Sequence, residues 1–138
     1  MTADAAWSAA IPGGGRGLFQ QGGNGRLHVG VVDVGSNSVR FVVFDGAPRS
    51  PAYFYNEKIM CALGAGLSET GRLNPKGRRR AIDAICRFAA LARGMDLPPL
   101  MAVATAAVRE AEDGADFVEE VEAKTGLRLE VIPGDEEA

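Results

Sequence analysis

Two stretches of this 138-residue sequence carry side chains that could do chemistry. The first, Asp33-Val34-Gly35-Ser36-Asn37-Ser38, joins a carboxylate, a glycine and a run of hydroxyl and amide groups. Glycine at 35 lets the backbone approach an anion, successive N–H groups in a tight turn form a concave nest, and Ser36, Asn37 and Ser38 add donors of their own. Asp33 repels a bare phosphate. Its chemistry is that of a hard-cation ligand, holding Mg²⁺ or its water shell while phosphate oxygens complete the coordination. An ordinary hairpin loop favours the same residue types, so composition leaves both readings open. The second stretch, Asp135-Glu136-Glu137, is acidic and follows an apolar run; taken alone it reads as an exposed acidic tail.

The elements around these stretches decide whether they can meet. Residues 28–34 form a β-branched run of the kind that makes a buried strand, and residues 39–44 and 52–59 supply two more, with Asp45-Gly46 as a turn between them. Three strands on short connections predict an antiparallel meander. Residues 64–73 hold too many glycines for a helix and read as a loop. Asn74 followed by Pro75 is a helix start, and the helix runs to about Arg93 with Ile82, Ile85, Ala89 and Ala92 on one face. Arg78, Arg79 and Arg80 near its start are either an anion site or a solvated charged turn, and they stay outside the site assignment. Residues 100–105 predict a fourth strand and 106–111 a short helical turn. A second amphipathic helix follows, started by Asp113 or Gly114, with Phe117, Val118 and Val121 inward and Gly126 as its stop; residues 127–132 predict a fifth strand. If strands one, four and five are parallel neighbours, Asp33, Thr105 and Glu137 all lie at carboxyl ends of strands, the edge where open α/β sheets bind ligands. A Walker loop and a Rossmann fingerprint are both absent, so a phosphate would sit on a hairpin turn and not at a helix N-terminus.

Composition narrows the function classes. Lys and Arg number 15 against 18 Asp and Glu, a net charge of −3, which leaves no global basic field for a nucleic-acid backbone. No apolar run approaches the ~20 residues of a membrane span. Cys61 and Cys86 stand apart, and His28 is the only histidine, so no zinc set is spelled out and two reduced thiols are expected. Residues 1–26 read as a disordered, glycine-rich tail with neither the basic start nor the apolar core of a signal peptide, which predicts a cytoplasmic protein.

The order strand, D-x-G-S-N-S, strand, strand, loop, helix, strand ending A-T-x-A-x-R, helix, strand, G-x-E-E-A resembles the exopolyphosphatase and guanosine pentaphosphate phosphohydrolase (Ppx/GppA) family. The matching segments are Asp33 to Ser38, Ala104-Thr105-Ala106-Ala107-Val108-Arg109 and Gly134-Asp135-Glu136-Glu137-Ala138, and the similarity covers about residues 28–138. The resemblance implies an actin-like ATPase (ribonuclease H-like) α/β fold: a five-stranded mixed sheet, built as a three-strand antiparallel meander plus two parallel strands, with flanking helices. It also implies a hydrolase that removes the terminal phosphate of inorganic polyphosphate or the 5′ γ-phosphate of guanosine pentaphosphate, with Mg²⁺ or another divalent cation such as Mn²⁺. By position, Glu137 matches the catalytic glutamate that orients and deprotonates the attacking water, and Arg109 the arginine near the phosphates; Gly35, Ser36, Asn37, Ser38 and Thr105 would bind phosphate and Asp33 the metal. Family members continue into a second phosphate loop and a second domain. Residues 27–138 are accordingly expected to be the N-terminal domain only, weak or inactive alone, completed by a homodimer partner or by a complementing C-terminal domain, with no nucleic acid and no membrane as partner. Two other readings remain open at this stage: a kinase or ATPase of the same superfamily, and a non-catalytic phosphate- or alarmone-binding module.

Overall fold

The computed structural model describes residues 28–45 and 52–134, so the expected tail over 1–26 and the segment carrying Asp135, Glu136 and Glu137 lie outside the described residues. Strand β1 (His28–Val34) turns through Gly35, Ser36 and Asn37 into β2 (Ser38–Asp45), which pairs with β3 (Ala52–Met60). Helix α1 (Leu67–Thr70) and the long helix α2 (Pro75–Gly94) lead to β4 (Met101–Ala104), and α3 (Ala106–Glu110) and α4 (Gly114–Thr125) lead to β5 (Leu129–Val131). The sheet is five-stranded in the order β3-β2-β1-β4-β5. The first three strands form the expected antiparallel meander, while β4 lies parallel to β1 and β5 parallel to β4. Strands one, four and five are therefore parallel neighbours.

Side-chain alternation divides the sheet into two faces. Val32, Val34, Val39, Phe41, Val43, Ala102, Ala104 and Leu129 point to the face covered by α2 and α4, where they meet Ile82, Ile85, Phe88, Phe117 and Val121 in one buried cluster. Phe41 and Phe88 stack obliquely at 5.3 Å between ring centroids. The other face carries Asp33 beside its register partners Arg40 and Val103, and Val103 packs against Ile132. Helix α2 buries the expected Ile82, Ile85, Ala89 and Ala92 and is capped by Asn74, whose side chain accepts from the Gly77 N–H at 2.9 Å.

Four local expectations are corrected. The glycine-rich stretch 64–73 contains α1, because its glycines sit at the ends and not inside: Gly66 and Gly71, at φ 77° and 75°, are the left-handed residues that bracket a single turn. The fifth strand is shorter than 127–132, and β2 begins at Ser38, so Ser38 belongs to the strand. Asp113 occupies the N-cap position of α4 but makes no side-chain cap bond. Its Oδ1 instead accepts from the Leu73 N–H at 2.9 Å, and its Oδ2 pairs with Arg78 at 3.3 Å. Cys61 is buried, Cys86 half-buried, and both are free thiols. No helix among the described residues is long and apolar enough to cross a membrane.

Candidate active site

The turn between β1 and β2 is closed by the Gly35 N–H donating to the Ser38 carbonyl at 2.9 Å, which leaves Ser36 and Asn37 exposed at its tip. Its two carbonyls face away from the open side. Ser36 O accepts from the Gly64 N–H at 2.9 Å, and Asn37 O accepts from the N–H groups of Cys61 at 2.8 Å and Ala62 at 2.9 Å. The segment 61–64 thus runs as a strap beneath the turn.

The other motif segments adjoin this turn along the carboxyl edge of the sheet. Thr105, the N-cap residue of α3, donates its N–H to the carbonyl of Val34 at 3.1 Å, so its backbone is stitched to the last residue of β1. No side-chain cap bond engages the Thr105 hydroxyl. Arg109, one turn further along α3, is half-buried; its Nη1 donates to the carbonyl of Ile132 at 3.0 Å and its Nη2 pairs with Glu110 at 3.5 Å. The nearby carboxylates of Glu112 and Asp113 are approached by Arg72 and, at Asp113, by Arg78. Gly134 lies directly against Arg109, since a Cβ there would stand 3.5 Å from the guanidinium carbon. The ladder continues past β5 as the Ile132 N–H donates to Ala104 O at 2.9 Å. The turn Gly35 to Ser38, Thr105, Arg109 and Gly134 therefore share one edge.

Asp33 is the penultimate residue of β1, half-buried, with Oδ1 withdrawn from solvent. Among the described residues no group of three or more His, Cys, Asp or Glu side chains converges to hold a metal. A carboxylate at the foot of this turn, with no cluster of further ligands among the described residues, fits Mg²⁺, which keeps most of its water and takes one or two protein carboxylates plus phosphate oxygens. It does not suit zinc. Arg78 is not available to an anion: it bridges Asp113 and Glu120 and lies 6.0 Å from the Phe117 ring centroid. Arg79 and Arg80 are exposed. The sequence reading missed the strap. Gly77 in the first turn of α2 was a visible signal, because a glycine inside a helix costs stability unless another backbone comes close.

The family model described as the Ppx/GppA phosphatase family matches residues 42–138, a stretch that holds Thr105, Arg109 and Glu137 and begins just after the Asp33 to Ser38 turn. The chain belongs to the Ppx/GppA phosphatase family. Exopolyphosphatase 1 of Mycobacterium tuberculosis is 33% identical over 113 residues, covering 81% of this chain and 33% of that protein. Exopolyphosphatase 1 of Mycobacterium leprae is 32% identical over the same length. The crystal structure of the Ppx/GppA family member of Aquifex aeolicus superposes with a TM-score of 0.74 at 29% identity, over 80% of this chain and 36% of that one. The fold is accordingly that of the Ppx/GppA family, a five-stranded mixed α/β sheet with flanking helices. The chain spans about a third of the length of the curated relatives it matches.

Proposed function

We propose that this chain forms the first phosphate-binding wall of a phosphohydrolase that releases terminal phosphate from inorganic polyphosphate or the 5′ γ-phosphate of guanosine pentaphosphate. The observation that carries this reading is the convergence of Gly35 to Ser38, Thr105 and Arg109 on the carboxyl edge of three parallel strands, where Gly134 leads on toward Glu137. Backbone N–H groups of the turn, with the Ser36, Asn37 and Ser38 side chains and the Thr105 hydroxyl, hold the phosphate oxygens. Arg109 offsets the charge that spreads over the transferred phosphoryl group, with its fork oriented by the Ile132 carbonyl.

Glu137 takes the proton from a water that attacks the terminal phosphorus. The P–O bond to the remaining chain breaks, and inorganic phosphate and the shortened polyphosphate leave. Asp33 would hold a divalent cation, Mg²⁺ or Mn²⁺, which would neutralise phosphate charge. Substrate choice and full activity depend on a second wall, supplied by a further domain or by a second copy of the chain, because phosphoryl transfer is catalysed mainly by positioning and charge from both sides of a cleft.

The test is Mg²⁺-dependent phosphate release from long-chain polyphosphate and from guanosine pentaphosphate, by this chain and its Glu137→Gln variant, each with and without the rest of a full-length relative. Release lost in the variant supports Glu137 as the base. Release unchanged by the variant removes that role, and saturable binding of ATP in preference to polyphosphate would favour a nucleotide-dependent kinase or ATPase instead.

A further inference from the structure

The carbonyls of the turn are held from the side opposite its open face. In a planar trans peptide the C=O of one residue and the N–H of the next point in opposite directions. The Ser36 carbonyl is fixed on the Gly64 N–H, so the Asn37 N–H is turned away from the strap; the Asn37 carbonyl is fixed on the N–H groups of Cys61 and Ala62, so the Ser38 N–H is turned away as well. Three hydrogen bonds on the far side therefore set the direction of two peptide dipoles on the open side. Without them, either peptide could flip and present an oxygen where an anion must sit.

The strap is itself held from behind. Ala62 adopts φ 56°, a left-handed conformation that an alanine avoids, so something must impose it. That constraint comes from the start of α2. The Asn74 N–H donates to Leu63 O at 2.9 Å, and the backbone of Gly77 comes so close that a Cβ there would lie 2.6 Å from Ala62 O and 2.8 Å from Cys61 O. Gly64 is similarly enclosed: a Cβ would meet Ser36 Cβ at 3.2 Å and Ala107 Cβ at 3.4 Å.

We propose that the Cys61 to Gly64 strap, seated on Gly77 of α2, is the positioning device that orients the Asn37 and Ser38 amides of the turn toward an incoming phosphate. Gly77, Ala62 and Gly64 act through the turn and touch no substrate. This rests on the reading of the turn as a phosphate site, and the experiment separates the two.

Amide resonances of the full chain are followed by NMR with Mg²⁺ and tripolyphosphate, in the native sequence, in Gly77→Ala, in the milder Gly64→Ala, and in Gly94→Ala. The last places the same substitution at the other end of α2, where nothing lies within 4 Å of the new Cβ. Saturable shifts centred on Asn37 and Ser38 in the native chain are expected. In Gly77→Ala and Gly64→Ala the ligand-free resonances of residues 35–38 should move, the Cys61, Ala62 and Gly64 amides should lose exchange protection, and affinity should fall at least fivefold. Remote amides in α4 and the behaviour of Gly94→Ala should stay native. Resonances of 35–38 and an affinity unchanged in a folded Gly77→Ala or Gly64→Ala overturn the positioning role. A native chain with no saturable shift at Asn37 and Ser38 overturns the phosphate reading beneath it, whatever the variants do.

Discussion

Ala62 is the residue at which the fold tolerates a local cost. A left-handed alanine costs roughly 1–2 kcal/mol, and glycine gives part of that back through its freer unfolded state. Ala62→Gly should therefore stabilise the chain by about 0.5–1 kcal/mol in urea unfolding, whereas Ala62→Val should destabilise it; equal midpoints for all three sequences would show that the strap imposes no strain. At Asn74 the expected loss on substitution by Ala is about 1 kcal/mol, the worth of a side-chain cap. These two residues were not equally legible. Asn74 followed by Pro75 announces a helix start by type alone, and Asp33, Gly35 and Ser36 announce a turn that could hold an anion, because their chemistry is local. The conformation of Ala62 is imposed by α2, which lies after it in the chain, and no residue type signals it. Arg109 was found as a candidate, but its orientation by the Ile132 carbonyl depends on β5 lying beside β4 and could not be read from spacing.

Among the elements, α2 and α4 are joined by a charge cluster that the sequence presents only as scattered residues. Asp113 is buried, accepts from the Leu73 N–H and pairs with Arg78, which also reaches Glu120 at 2.9 Å. Asp113→Ala would leave the buried Leu73 N–H without its acceptor and Arg78 with Glu120 as its one remaining carboxylate in this cluster, and should cost about 1–3 kcal/mol by denaturant titration. A loss below roughly 0.5 kcal/mol would mean that water replaces the carboxylate freely. Lys124 hydrogen-bonds Glu120 and, with Arg78, holds its carboxyl below the usual glutamate range. A depressed carboxylate stabilises the folded chain above its unfolded value, near about pH 4.3, and that contribution fades as pH falls through the lower folded value. The Tm difference between the native chain and Glu120→Gln should thus shrink on acidification below about pH 4.3, while a constant difference from about pH 6 to about pH 3 would remove the pair from the account. The stripe of Ile82, Ile85, Ala89 and Ala92 was plain in the sequence because a helix repeats. Helix α1 was not, because counting glycines ignores that Gly66 and Gly71 stand at its two ends.

At the scale of the molecule, the described helices pack on the Val32, Phe41 and Ala104 face of the sheet, and the Gly35 to Ser38 turn, Thr105 and Arg109 stand at its carboxyl edge. On the proposed reading, turnover of long-chain polyphosphate by the isolated chain should be at least roughly a hundredfold slower than by a full-length family member, since half of the positioning and charge is absent. Comparable rates would mean that a second copy completes the cleft, and sedimentation at the assay concentration would show it. The pairing pattern also sets an order of events in time. The antiparallel partner of β1, β2, follows it closely, but its parallel partner waits for residues such as Met101, opposite Val31, to be synthesised. Nearby pairings close faster than distant ones, so the hairpin bearing Gly35 to Ser38 should be born early, on the ribosome and in refolding alike, with the side of β1 that β4 later takes still open. Pulse-labelled hydrogen exchange should then find residues 28–60 protected before 101–131. On the proposed reading, the nascent chain would carry its phosphate-binding turn for a time beside an unpaired strand edge, open to a polyanion or a chaperone before the sheet is complete.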